Sequence, residues 1–516
     1  MAEPRVGEES VTSQIFRVRG QRSRWRYPDQ NLTPENCEIL RDVNLSERGV
    51  ANSRPGYIAY SPDQLSGGEA VVGLFDLTFS GDSNKRVVIT PTKVYTDTGS
   101  ARVNITGTAL SGGADNKIHG VFIKDQFVFS NSVNTVRKWN GNDSTPTNTS
   151  DLTTVPWTKV DGLFLHKNLL MIWGPTESST KYNTRIRWCD INRQTYAVDI
   201  NTWPDTNRYE IYDGGTPIVG CVDNWGLALI FKSDGLYQGE IFYDPIGHID
   251  FRLGKPIRGF SPIASKSLIA RPEFVFGVAQ EGLFIIRPDL SFTLVSSDDS
   301  TEWFNLNQDR LQYAQSFVSE RDHQVRTIIS SSGNTNNQDI VLVWDWDTGD
   351  IWIDRPSHKL NYAEKLLVSG EEFHWTGSST GYLYQGNKIT YLDDAGTGYN
   401  WRIKMSPNDL GLPGRQKHVL NVRTFHRRRV GQQDISFTVH IDQGREPSVN
   451  GTLAVAQTSK WNAGRKWSTG ESWPGASARV TDFFVDRMCE TMAPEWVGQG
   501  PSGIEGYIVE YIPLEG

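Results

Sequence analysis

The chain has 516 residues, with 52 basic and 60 acidic side chains, a formal net charge of −8, 48 glycines and 17 tryptophans. That balance excludes a protein that grips phosphates over one broad basic face. The glycine and tryptophan content argues against long helices and for many short strands joined by tight turns.

Residues 1 to about 60 show little periodicity and are expected to form an extended N-terminal arm. The opening, MAEPRVGEESVTSQ, places no apolar segment behind its charges, so no signal peptide is expected. Within the arm, FRVRGQRSRWR (residues 16–26) carries Arg17, Arg19, Arg22, Arg24 and Arg26 around Trp25 with no acidic residue. Such a stretch either docks on a protein partner, holds phosphates, or stands solvated. Docking is the reading adopted.

From about 61 to 400 the chain is a procession of short apolar runs and glycine turns. SDGLYQGE (233–240), QEGLFIIRP (280–288) and STGYLYQGN (379–387) each set a polar-glycine turn before an aromatic-rich strand. Their glycines, Gly235, Gly282 and Gly381, lie 47 and 99 residues apart, one period and about two, and a period of 40 to 50 residues is the size of a four-stranded propeller blade. IHGVFIKDQFVFS (118–130), VDGLFLHKNLLMIWG (160–174), NWGLALIFK (224–232) and FVFGVAQEG (274–282) have the same style. Several are apolar on both faces, as strands covered by sheets on each side are. The expectation is an all-β chain, a β-propeller of six, possibly seven blades. Two or three β-sandwiches form the competing architecture. The most apolar run, LFLHKNLLMIW (163–173), is short and broken by His166, Lys167 and Asn168, so no membrane segment is expected.

The stretch VLVWDWDTGDIWID (341–354) falls between the second and third glycine turns. Asp345, Asp347 and Asp350 have part of the spacing of a calcium loop, but Gly349 stands where a third ligand belongs. The simpler reading makes strands of 340–346 and 351–353 and a hairpin turn of 347–350. SSDDSTEW (296–303) partly resembles the Asp-box turn of sialidase propellers, with Ser300 in place of Gly and Glu302 in place of Thr. That turn is structural, and glycosidase chemistry needs two facing carboxylates as well.

Residues about 401 to 516 resume β character in HVLNVRTFHRRR, DISFTVHID, ARVTDFFVD and GYIVEYI, expected as a small C-terminal β-sandwich or barrel. RTFHRRR (423–429) is a second basic patch at a strand end, an interface or an edge guarded by charge. No HExxH, GxSxG or GxxxxGK[ST] pattern occurs. His440-x-Asp442 has a spacing that any strand produces. Cys37, Cys189, Cys221 and Cys489 stand singly and are expected to be thiols. No catalytic residue, cofactor or metal is expected.

CEILRDVNLSERGVANSRPGY (37–57) resembles the opening of the nozzle, or packaged-DNA stabilisation (tail tube), proteins of short-tailed bacteriophages, the matching positions being Asn44, Gly49, Arg54, Pro55 and Gly56. TRIRWCDINRQTYAVDINTW (184–203) is similar to a second recurrent stretch of that family through Arg185, Arg187, Trp188, Asp190 and Trp203, with Cys189 departing from the usual Ser. FKSDGLYQGE and STGYLYQGNKITYLDDAGTGYNWRIKM resemble its later blades. The resemblance implies a non-enzymatic virion tail subunit: a homo-hexameric ring below the portal and adaptor proteins, neighbouring tail needle or fibre proteins, that retains packaged double-stranded DNA until ejection. The alternatives are a propeller glycosidase or sialidase and a glycan-binding tail adhesin.

Overall fold

The structure is a computed structural model. It describes residues 12–18, 36–45 and 50–514, apart from 62, 66, 81–82, 99–100, 144–148, 193–196, 214, 244–248, 261, 297–302, 304, 389, 392, 428–433, 445 and 454–477.

Glycine turns pace the middle of the chain. Gly235, Gly282 and Gly381 have φ of +148°, +151° and +81°, values at which a side chain is strained, and each stands at or just before the third strand of its own four-stranded sheet. Among the described residues there are six such sheets, and the first four strands of a nine-stranded sheet supply a seventh unit of the same kind. Their first strands, Gly73–Phe79, His119–Ile123, Gly162–His166, Ile218–Asn224, Ile269–Ala270, Gln315–Ser319 and Leu360–Val368, are neighbours in sequence order, and the last lies against the first. The architecture is therefore a closed seven-bladed β-propeller, the upper of the two expected counts.

Apolar side chains fill the space between blades. Trp344 of the sixth blade stacks on Phe276 of the fifth with ring centroids 5.6 Å apart, and Phe231 of the fourth meets Phe284 of the fifth. Strands buried on both faces explain the unbroken apolar runs.

The seventh blade is completed from the other end of the chain. Leu360–Val368, Glu371–Ser378 and Leu383–Gly386 take Tyr57–Ala59 as their outermost strand, with Ile58 opposite Gln385. The sixth blade continues outward instead of ending: Ile351–Asp354 pairs in parallel with Cys37–Arg41, which leads through Asn400–Met405, Met492–Gln499 and Ile435–Ile441 to Glu446–Leu453. A second sheet packs on that extension. It holds Val43–Asn44, Ala51–Ser53, Gly503–Pro513, Lys417–Arg427 and Ala478–Cys489, with Thr12–Phe16 added to Gly503–Pro513. Phe437, Trp496, Tyr507, Val422 and Val509 form the core between the two sheets. The C-terminal unit is thus a sandwich.

Of residues 1–60, expected as an extended arm, 12–18, 36–45 and 50–60 are described in part as strands. These strands are built into the sandwich and the seventh blade. Backbone pairing outweighs the weak local periodicity, because strands of two to five residues carry no readable alternation. The four cysteines are buried and none is in a disulfide among the described residues.

Candidate functional site

Two of the stretches singled out above meet in a buried charged cluster. Arg54 is 2% exposed. Its Nη1 and Nη2 donate to the two oxygens of Asp394 at 2.8 and 2.7 Å, across 340 residues of sequence. Its Nε donates to Asp42 Oδ1 at 2.5 Å. The Tyr399 ring lies 4.1 Å from the guanidinium, and the Tyr399 hydroxyl donates to the Arg54 carbonyl. A planar fork with a cationic face makes all these contacts at once, and an ammonium does not.

Two of the same oxygens also bind the link between blades six and seven. Asp394 Oδ2 accepts from the backbone N–H and the hydroxyl of Ser357 at 2.8 and 3.0 Å, and Asp42 Oδ1 accepts from Arg355 N–H at 2.9 Å. Beside them Arg326 pairs with Asp354 at 2.8 Å, and Gln324 Nε2 donates to Asn44 at 3.3 Å. The cluster ties the sandwich hairpin, blade six, its link to blade seven and the return into the sandwich.

Pro55 accepts from Arg54 Nη1 at 3.1 Å. Gly56 is required by space: a Cβ there would overlap the Asp393 backbone. Gly49 lies outside the described residues.

Three carboxylates face two guanidiniums, so the cluster has a surplus of negative charge. Burial pushes Asp42 up to about 6 against the opposing pull of Arg54, and burial also raises Asp354. For Asp394 burial acts upward too, but hydrogen bonds from Arg54 and its charge prevail and hold the carboxyl below its ordinary value. The signs are opposite. Asp42 contributes stability that is complete below the ordinary carboxylate range and is lost as pH rises through about 6; Asp394 contributes stability that is lost as pH falls through its lowered value. The stability of Asp42→Asn relative to the parent is expected to move in the variant's favour between about pH 5 and about pH 8. A difference independent of pH, measured by chemical unfolding, would count against this.

The second resemblance stretch is also structural in its contacts. Arg185 pairs with Glu210 and, at 2.6 Å, with Glu177. Arg187, wholly buried, lies 3.1 Å from Glu177 and 2.9 Å from Asp205. Trp188 stacks on Phe251 of the fourth blade, Trp203 meets Trp157 edge to face, and the Asp190 N–H donates to Thr202. These residues brace the third blade.

The propeller axis is filled by the chain itself. A short 3-10 turn, Ser265–Ser267, lies against the inner strands of blades four and six. Ser265 Oγ is 3.4 Å from His119 Nε2 of blade two, and Lys266 Nζ is 5.9 Å from the Tyr362 ring centroid of blade seven. A turn that touches inner strands around the ring closes the central space. Burial lowers Lys266 to about 8 despite Glu364 nearby. Sequence reasoning missed this turn, which carries no motif.

The stretch 341–354 forms strands Ile340–Asp345 and Ile351–Asp354. The Asp345 carboxylate accepts from the N–H groups of Asp347 and Thr348 at 2.9 and 3.0 Å, Asp347 pairs with His323 at 2.5 Å, and Gly349 turns the chain with φ +74°. Among the described residues no three His, Cys, Asp or Glu side chains are grouped to hold a metal ion. Millimolar calcium is expected to leave the melting temperature unchanged, while Asp345→Ala costs about 1 kcal/mol through its lost turn hydrogen bonds. Thermal stabilisation by calcium would reverse this assignment.

Of the Asp-box-like stretch, Ser296 accepts from Leu283 N–H at 2.8 Å and Trp303 is buried; residues 297–302 lie outside the described residues. His440 pairs with Glu495 at 2.6 Å and lies 3.3 Å from Ser448 Oγ, whereas Asp442 accepts backbone N–H groups of Glu490 and Thr491. Glu495 also accepts from Arg402 at 2.6 Å, so the group is one rung of a polar cross-strand ladder.

Of the basic positions, Arg17 is exposed beside the strand Thr12–Phe16, while Arg19, Arg22, Arg24 and Arg26 lie outside the described residues, as do Arg428 and Arg429. Arg423 is mid-strand and pairs with Asp482 at 2.6 Å and Glu510 at 3.5 Å. Among the described residues no helix is long and apolar enough to cross a membrane.

No family model and no curated protein matches the chain. Among solved structures it is similar to the WD40 domain of Neurospora crassa Pan2, at 10% identity and a TM-score of 0.38, over 66% of this chain and 97% of that one.

Proposed function

We propose that this chain is a structural nozzle subunit of a short-tailed bacteriophage tail. In this reading six copies form a ring below the portal–adaptor complex, next to tail needle or fibre proteins, and extend and close the channel that retains packaged double-stranded DNA until ejection. The supporting observation is the Arg54 cluster. Asn44, Arg54, Pro55 and Gly56 come from one phage-like stretch, Asp394 and Tyr399 lie within another that resembles the family as a whole, and the two stretches meet at one buried group.

The filled axis has a consequence for the path of DNA. A duplex does not thread a propeller crossed by residues 265–267, so the channel belongs between subunits, formed by head-to-tail contacts that close by rotation. The net charge of −8 suits a wall along which DNA slides. No catalytic step and no cofactor enter this account.

Negative-stain imaging of the protein mixed with portal–adaptor complexes tests it. A six-fold ring with a central opening is expected. Another symmetry, or a monomer that does not bind, would overturn the reading.

A further inference from the structure

Asparagine followed by glycine occurs twice in the chain, at Asn140-Gly141 and at Asn450-Gly451. In such a pair the glycine nitrogen has no neighbouring side chain to shield it, and it can reach the asparagine Cγ to close a small ring. Attack within one chain is far faster than attack by a separate molecule, provided the two groups are held together. The fold holds them together at one of the two places.

Asn140 is exposed and directly follows Arg137–Trp139, the third strand of blade two. Gly141 has φ +84°, and its N–H has no hydrogen-bond partner among the described residues. The Asn142 N–H donates to Asn140 Oδ1 at 3.2 Å. The loop closed by that bond contains the Gly141 nitrogen, so the carboxamide is folded over the Gly141 peptide, and the donor draws electron density onto the oxygen as attack at Cγ requires. Trp139 holds the donor in place. Its Nε1 donates to the Asn142 carbonyl at 2.9 Å, and its ring meets Phe79 of blade one edge to face.

The second pair is arranged against the same reaction. Asn450 and Gly451 lie inside the strand Glu446–Leu453, opposite Thr438 and Phe437. Thr438 Oγ1 donates to Asn450 Oδ1 at 2.9 Å, which draws the carboxamide toward the neighbouring strand, and a Cβ on Gly451 would lie 2.6 Å from Phe483 of the facing sheet. Ring closure there has to wait for the strand to open.

We propose that Asn140 is a site of spontaneous covalent modification. The Gly141 nitrogen gives its proton to solvent base and attacks Asn140 Cγ; the new N–C bond forms, the carboxamide C–N bond breaks, and ammonia leaves with a proton from water. Water then opens the succinimide. Addition at Cγ restores the original main chain and yields aspartate, while addition at the main-chain carbonyl carbon routes the chain through Cγ and yields isoaspartate. Either product puts a carboxylate just before Asp143, whose partner at 2.7 Å is Lys85 of blade one. Isoaspartate also adds a methylene to the main chain between Trp139 and Gly141, which both rest on Phe79, so the change falls on the seam between blades one and two.

The full chain, incubated at neutral and at mildly alkaline pH, tests this by peptide mass spectrometry with fragment ions that resolve Asn140, Asn142 and Asn450. Conversion at Asn140 is expected to run roughly tenfold or more ahead of Asn450, to speed up at the higher pH, and to give isoaspartate together with aspartate. In urea-unfolded protein the two sites should convert at similar rates, since the fold alone separates them. The acidic form that builds up on ion exchange should not build up in Asn140→Gln. Equal rates in the folded chain, the same inequality after unfolding, aspartate without isoaspartate, or an acidic form that accumulates as fast in Asn140→Gln would each overturn the proposal. The experiment uses the isolated chain and is independent of ring formation.

Discussion

Arg54→Met is expected to lower unfolding stability by about 3–5 kcal/mol, the cost of breaking a buried pair and leaving its partners charged. The loss falls on Asp42 and Asp394 together, since Arg54 contacts both at 2.5 to 2.8 Å. Arg54→Lys should recover less than half of it, because one ammonium does not span both oxygens of Asp394 and also reach Asp42. Adding Asp394→Asn to Arg54→Met should restore part of the loss, and the non-additivity measures the pair directly. Urea unfolding followed by tryptophan fluorescence reports the midpoint, and limited proteolysis between residues 386 and 400 reports whether the sandwich detaches first. A loss below about 1 kcal/mol would place the cluster among pairs that contribute little.

Gly56→Ala is expected to cost about 3 kcal/mol, the upper part of the range for overpacking. The obstacle is backbone, not a side chain that can swing aside: the new methyl would overlap the carbonyl of Asp393. Relief requires parting Gly56 N–H from the Tyr391 carbonyl at 2.8 Å or Tyr57 N–H from the Asp393 carbonyl at 2.9 Å, and either move displaces Asp394 from Arg54. Gly349→Ala is the control. It has open space around it but a φ of +74°, so it should lose only about 1–2 kcal/mol, the cost of a left-handed backbone for a residue with a side chain. Equal losses at the two sites would show that space at Gly56 is not what selects glycine.

Much of the propeller was readable from its turns. Gly235, Gly282 and Gly381 occupy equivalent places in blades four, five and seven, and the stretch 341–354 supplies the third and fourth strands of the blade between them. The tryptophans there are packing: Trp344 against Phe276, and Trp352 wholly buried. The exact blade count was less legible, because the seventh blade borrows Tyr57–Ala59 from far upstream and the first strand of the fifth is two residues long. Such strands have no period to detect.

The charged cluster was half legible. Arg54, Pro55 and Gly56 stood out as a motif, but Asp394 looked like one of many aspartates in a loop, and Asp42 sits between two strands with nothing local to mark it. Their roles depend on contacts hundreds of residues apart, which spacing does not encode. The axial turn at 265–267 was invisible for a different reason. Ser-Lys-Ser is ordinary surface composition, and only the position of its neighbours makes it a plug.

The borrowed outer strand of blade seven also sets a timetable. Ala59 pairs with Tyr384, and Thr12 pairs with Tyr511, so each of these early strands must wait for a partner made hundreds of residues later. At about 5–20 residues per second the interval between residues 59 and 384 is on the order of tens of seconds. During it six blades can form while Tyr57–Ala59 remains without its partner, and the ring closes only once Leu383–Gly386 has been made. Truncated products that end before Leu383 would therefore expose both an open propeller and an unsatisfied strand at Tyr57–Ala59, and premature termination there should yield aggregates in place of partial subunits.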